Sequence, residues 1–461
     1  MKLSAPVNVA LAMIFVASAS FAAESKDLGE VVAQLSALPS REKPSAETLR
    51  QSDAYKMALA PHEGDAKLDV EIRQTQSAVR ESKNPFAALE RLGWQYVAKS
   101  RASFDPGYMA LAEQCALALE VAKPGAPEAL VLHGHVLHAM HRFHEAEEIA
   151  RAAVKSRGSA FDYGLLGDAL MEQGNLADAG AAYQSMLDLK PCLQSYTRAA
   201  HLAWLEGDLD QARALLKLAA RAISVRDPEP AAWVYSRLAT YEFQAGEFDS
   251  AMLACQVALK VQPNYAPALL IKTRILLAEN KPADALACIR VAEVENPLPE
   301  YQWLLADVLQ LNGQTDESNR IESELRKRGA VSDNRTLALF LGTRHAESET
   351  ALRLATAELG SRQDVFTHDA IAWANLACGK IQAAREESEK ALAEGTQDAR
   401  LFLHAGTIAL AAGEGKQARA WLDQSFAIKH MLFPSEQIRL LEARDRLQRE
   451  STSTRQEEVE R

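Results

Sequence analysis

The stretch YGLLGDALMEQGNLADAGAAYQSMLDLKP, Tyr163 to Pro191, decides the fold. Two others align with it without a gap: YSRLATYEFQAGEFDSAMLACQVALKVQP, Tyr235 to Pro263, and LLIKTRILLAENKPADALACIRVAEVENP, Leu269 to Pro297. Gly174, Gly246 and Asn280 fall at one place, Ala179, Ala251 and Ala285 at a second, and each stretch closes on a proline. Self-similarity of this kind predicts an array of small units in which each contacts its neighbours.

Each unit reads as two amphipathic helices joined by a tight turn. Gly or Asn at the turn accepts the left-handed backbone found at a helix C-terminus. Asp178, Asp249 and Asp284 then fall in the first turn of the second helix, where a negative charge favours the macrodipole. The small alanine lets the two helices approach closely, and the proline ends the second one. Composition agrees: the chain is 48% hydrophobic with 6% aromatics, and its apolar residues are mainly Ala and Leu, which suit helices better than strands.

The pattern resembles the tetratricopeptide repeat family, with its 34-residue period, through Tyr163, Leu166, Gly167, Leu170, Ala179, Tyr183 and Pro191. Extending the register gives ten units, starting at 86, 127, 160, 193, 232, 266, 299, 332, 365 and 399. The expected architecture is all-α, a right-handed superhelical solenoid of antiparallel helix pairs over 86–431. An irregular helical cap at 23–85 precedes it, and a capping helix with a disordered tail at 432–461 follows it. The unit from 332 has to turn near His345 and Ala346 without a glycine, and RDPEP (226–230) is expected as a surface loop.

The opening MKLSAPVNVALAMIFVASASFAAES has Lys2, an apolar run from Val9 to Val16, and Ser20 and Ala22 flanking Phe21. This predicts a cleaved signal peptide over 1–22 and an exported bacterial protein, periplasmic and neither membrane-spanning nor lipid-anchored. Formal net charge is −11 with both signs interleaved, which disfavours nucleic acid as a partner. Cys115, Cys192, Cys255, Cys288 and Cys378 have no C-x-x-C spacing; Cys255 and Cys288 fall on neighbouring helices, and buried free thiols are expected. No nucleophile elbow, H-E-x-x-H, Walker loop or dinucleotide fingerprint is present, so neither enzymatic activity nor a cofactor is expected.

The resemblance implies that the first helix of each unit lines a concave groove. It implies ligand contacts, usually with peptide segments of partner proteins, at the second, fifth, ninth, twelfth and thirteenth places. Trp94, Trp204, Trp233, Trp303 and Trp373 fall on those places, with Phe161, His201, Phe243 and Phe366. His135, His138 and Asp168 complete the expected groove. The Lys/Asn pair with which the family clamps a C-terminal carboxylate is absent from its places.

HGHVLHAMHRFH, His133 to His144, offers a second reading. His133 sits at a packing place, whereas His135 and His138, three apart, share one helix face; His141 falls in the turn and Asp168 is a candidate fourth ligand. The first expectation is a non-catalytic scaffold that binds envelope or exported proteins, with the histidines as a polar, pH-sensitive patch of its groove. The alternative is a periplasmic metal-handling protein that uses the His133–His144 cluster, with His135, His138 and His141 as the candidate ligands.

Overall fold

In the computed structural model, which describes residues 46–103, 105–224 and 228–460, 24 α-helices and two short 3-10 turns follow one another. The predicted signal peptide and the amphipathic stretch Leu28 to Leu38 lie outside the described residues. No helix among the described residues is long and apolar enough to cross a membrane. Three helices come first: α1 (Ala46–Gln51), α2 (Asp53–Ala58) and α3 (Lys67–Glu81). The first five pairs are α4 (Phe86–Ser103) and α5 (Gly107–Ala122), α6 (Pro127–Ala139) and α7 (Phe143–Ser156), α8 (Ala160–Glu172) and α9 (Leu176–Leu189), α10 (Leu193–Leu205) and α11 (Leu209–Arg221), α12 (Pro228–Gln244) and α13 (Phe248–Val261). Five more follow: α14 (Ala266–Ala278) and α15 (Pro282–Glu295), α16 (Pro299–Leu311) and α17 (Thr315–Ser332), α18 (Asn334–Thr343) and α19 (Ser348–Ala357), α20 (Val365–Ala377) and α21 (Ile381–Ala391), α22 (Ala399–Ala411) and α23 (Gly415–Ala427). The last helix, α24, is Pro434–Glu460.

Local chemistry explains the pairs. Between α8 and α9, Gly174 takes φ 77°, and the Asn175 side chain caps α9 by accepting from the Asp178 amide at 3.3 Å. The second helix crosses the first at alanine: Ala179, Ala251 and Ala285 are fully buried. The unit without a turn glycine bends between α18 and α19, where His345 and Glu347 both take φ 49°. Before the first pair, the Tyr96 hydroxyl donates to the Ala58 carbonyl at 2.9 Å and accepts from Gln76 at 2.8 Å, which ties α2 and α3 to α4.

Two expectations change, and the thiols stay free as expected. Pro228 to Pro230 of the expected loop open α12, since proline is well suited to a first helical turn. The polar C-terminal tail continues α24 to Glu460; it contains no Gly or Pro and is rich in the helix formers Glu, Gln and Arg. All five cysteines, including Cys255 and Cys288, are free thiols.

The array also winds back onto itself. The Gln363 amide donates to the Glu172 carbonyl at 3.2 Å, the Thr396 hydroxyl to the Leu205 carbonyl at 2.5 Å, and His430 Nε2 to the Phe243 carbonyl at 2.8 Å. Turns of the third, fourth and fifth units thereby meet the loops after the eighth, ninth and tenth. Glycine permits this approach, because a Cβ on Gly174 would stand 2.4 Å from the Gln363 carbonyl oxygen and one on Gly207 2.4 Å from that of Gly395. The inner face is consequently divided into a closed half and an open half.

Candidate functional site

Four of the expected groove residues are core. Trp303 is 0% exposed, packs edge-on against Phe340 and Phe433, and donates from Nε1 to the Ser435 hydroxyl at 3.0 Å. Phe243, also 0% exposed, lies against His430 with ring centroids 5.0 Å apart. Trp373 stacks on His404 at 3.9 Å and donates to the Thr343 hydroxyl. Trp204 donates to Gln244 at 2.8 Å and stacks on Phe366, which the coil brings over from the ninth unit, at 5.8 Å. Trp204, Phe243, Trp303 and Trp373 are therefore removed from the ligand face, because neighbouring units and residues 430–436 cover the positions that a simple open solenoid would expose.

The remaining residues meet in the open half. Trp94 on α4, His135 on α6 and Phe161 on α8 form one cluster, with the Trp94 ring 5.3 Å from His135 and 5.9 Å from Phe161. Trp233 on α12 stands across from them; it is 37% exposed and Phe161 39%. Trp94, Phe161 and Trp233 line a chamber of about 660 Å³ together with Arg101, Gln194 and Tyr265. A second chamber of about 370 Å³ shares Thr197, Arg198 and Trp233 with the first and extends to His138, Asp168 and His201. The two therefore make one continuous groove across α4, α6, α8, α10 and α12.

Charges in the groove are of two kinds. Asp168 holds Arg198 through two bonds, at 2.8 and 2.6 Å, and accepts from the Tyr183 hydroxyl at 2.9 Å. Burial works against the Asp168 anion, but Arg198 outweighs it and keeps the carboxyl below its ordinary value. Glu172 is taken up by Arg362 at 2.9 Å. Arg101 and Arg237 differ: the first donates to His135 Nε2 at 3.0 Å, the second to His201 Nδ1 and the Tyr241 hydroxyl at 3.4 Å, and neither forms an ion pair with a described carboxylate.

Those bonds reshape the histidine reading. Burial, and then the charge of Arg101, pushes His135 down to about 3, and burial with Arg237 does the same to His201. Burial also lowers His141, to about 4. His135 and His201 are thus neutral hydrogen-bond acceptors at neutral pH, and the expected pH-sensitive patch is corrected at His135. His135 spends Nε2 on Arg101, His138 lines the inner chamber, and His141 takes φ 60° in the turn and stacks on Phe143 at 5.6 Å. Among the described residues no three His, Cys, Asp or Glu side chains converge in a way that would hold a metal ion. His133 faces Glu113 at 3.8 Å.

Sequence reading passed over Arg101, Arg198, Arg237 and Tyr265. A signal for two of them exists, since Arg198 and Arg237 occupy the same place in the units that start at 193 and 232. Arg101 lies beyond the usual length of a first helix, in the prolonged first helix of the first pair.

Comparison with known proteins follows from this geometry. The tetratricopeptide repeat family model matches residues 131–191, from within α6 to Pro191 after α9. No protein of curated function matches the chain. Among solved structures, the human IFIT1 dimer with PPP-AAAA is 11% identical, over 84% of this chain and 98% of that one, with a TM-score of 0.45. PilF of Pseudomonas aeruginosa is 15% identical over 44% of this chain and 91% of its own, with a TM-score of 0.38. A tetratricopeptide repeat protein from Parabacteroides merdae is 18% identical over 56% and 98%, with a TM-score of 0.30. The matched segment holds the second and third helix pairs, and eight further pairs are built as antiparallel helices in the same way: residues 131–191 carry the tetratricopeptide repeat, within an array of helix pairs.

Proposed function

We propose that this protein is a non-catalytic scaffold, exported to the cell envelope, that takes a peptide segment of a partner protein in the groove of its first five helix pairs. One observation carries the reading: Trp94, Phe161 and Trp233 line a continuous chamber without being buried, whereas Trp303 and Trp373 of later units are buried. Amphipathic rings on rigid helices supply large contact area at little entropic cost, which makes them frequent anchors for a partner.

A photo-crosslinking amino acid at Gln194, exposed at the groove, and another at Leu253, exposed on α13, test the reading in the native cell. A defined adduct is expected at position 194 and not at 253, and Trp94→Ala with Trp233→Ala should abolish it. Equal adducts at both positions, or an adduct that survives the double substitution, overturn the proposal. Sequencing of the mature N-terminus tests export, which requires cleavage after Ala22.

A further inference from the structure

The closed half already holds a ligand-like segment, supplied by the chain itself. Residues 430–436, HMLFPSE, run across the inner face of α12, α14, α16 and α22. Phe433 packs on the Trp303 ring at 5.3 Å, and three residues later Glu436 is gripped through both carboxylate oxygens by Arg400. Asp307 accepts from the amide and the hydroxyl of Ser435 at 2.9 and 2.7 Å, and Arg274 donates to the Met431 carbonyl. An aromatic ring on a tryptophan and a carboxylate on an inward arginine thus recur within one short segment.

The open half presents the same two kinds of group without an occupant among the described residues. Trp94 and Phe161 lie beside Arg101, and Trp233 beside Arg237. Arg198, Arg335, Arg344 and Arg400 each meet a carboxylate and Arg274 meets the Met431 carbonyl, whereas Arg237 and the more exposed Arg101 are bonded to imidazoles. Glu300 senses Arg237 electrostatically without pairing with it, and Glu229 in the outer chamber accepts from the Tyr265 hydroxyl at 3.2 Å. A guanidinium in a partly desolvated groove gains most from a carboxylate, which it binds more strongly than a neutral acceptor.

We propose that the groove selects partner segments in which an acidic side chain stands within a few residues of a large apolar one, the carboxylate seated on Arg101 or Arg237 and the apolar group on Trp94, Phe161 or Trp233. This rests on the groove reading above and names the partner chemistry. A phosphate chain fits less well: Asp168, Glu172 and Glu229 interrupt the guanidinium line, and the chain carries a net charge of −11. Single carboxylates match the single unpaired arginines.

Selection of a random dodecapeptide pool, displayed by its C-terminus so that no free terminal carboxylate is present, against the full mature chain tests the proposal. Enriched sequences are expected to pair Asp or Glu with an aromatic or leucine. An enriched peptide should bind Arg101→Gln/Arg237→Gln protein at least about tenfold more weakly, a difference of about 1.4 kcal/mol. Arg101→Lys/Arg237→Lys should recover part of the loss, which separates lost charge from lost folding. Enrichment without acidic bias, or a bias that the glutamine pair leaves intact, overturns the inference and leaves the groove reading standing. Arginine-dependent binding of a single-stranded oligonucleotide with no acidic-peptide selection overturns it in favour of phosphate. Absence of any enriched peptide overturns both.

Discussion

Trp94 and Trp373 occupy the same place in the first and ninth units, and each meets a histidine of the next unit. Trp94 lies 5.3 Å from His135, faces the groove and is half-buried; Trp373 lies 3.9 Å from His404, is 3% exposed and donates to Thr343. Equivalent residues thus line an open groove in one half and serve cohesion in the other. The difference teaches that the place in a repeat decides which way a side chain points, whereas the winding of the array decides what it meets there.

The largest way to break that comparison is in the closed half. Trp303→Ala removes a fully buried ring and its bond to Ser435, and is expected to cost about 3–5 kcal/mol, read as a lowered urea midpoint. Hydrogen exchange should quicken in α16, α22 and the start of α24 while α4 to α9 stay protected, since repeat arrays lose structure regionally. Uniform loosening of both halves contradicts the division drawn here.

Acid should act on the open half next. Unfolded imidazoles titrate near 6.5, whereas His135 and His201 are held near 3, so below about pH 6 the unfolded chain binds more protons and stability falls with pH. The contribution is complete above about 6.5 and is lost as pH falls toward 3, at roughly 1.4 kcal/mol per histidine per pH unit in between. A melting series from pH 7 to pH 5 should show it. His135→Gln with His201→Gln keeps acceptors for the two arginines and should flatten the slope; an unchanged slope assigns the acid sensitivity elsewhere.

The coil contact gives a finer contrast. Gly207→Ala and Gly413→Ala both strain a left-handed turn, at about 1 kcal/mol, but the first also drives a methyl onto the Gly395 carbonyl, whereas the second meets open space. Gly207→Ala should therefore destabilise more and expand the molecule in solution scattering, and equal effects from the two changes would place the coil contact in doubt. Smallest in stability is Trp94→Ala with Trp233→Ala, expected below about 1 kcal/mol each at these partly exposed sites, with loss of groove ligand binding. Melting and peptide-binding measurements on the same samples separate the two effects.

Much of the architecture was legible because it is local. Gly174 needs a left-handed turn, Asn175 caps the following helix, and Ala179 lets two helices cross, all within a few residues. The candidate groove was legible only in part. Phe161, Asp168 and Trp233 line it as the register implies, but that register gives equal weight to Trp303, whose fate depends on Phe433 and Ser435 more than a hundred residues away. The arginines were overlooked for a related reason: a guanidinium gains meaning from which groups it meets, and Arg198 finds Asp168 where Arg101 finds His135.

By itself the sequence determined the helix pair, its turn and the face each first helix turns inward, since backbone preference, capping and apolar period act over one unit. Tertiary structure alone decided where that inner face stays open. Closure sums small rotations over five units and is completed by contacts such as Thr396 to Leu205, 191 residues apart, and no local signal encodes that sum.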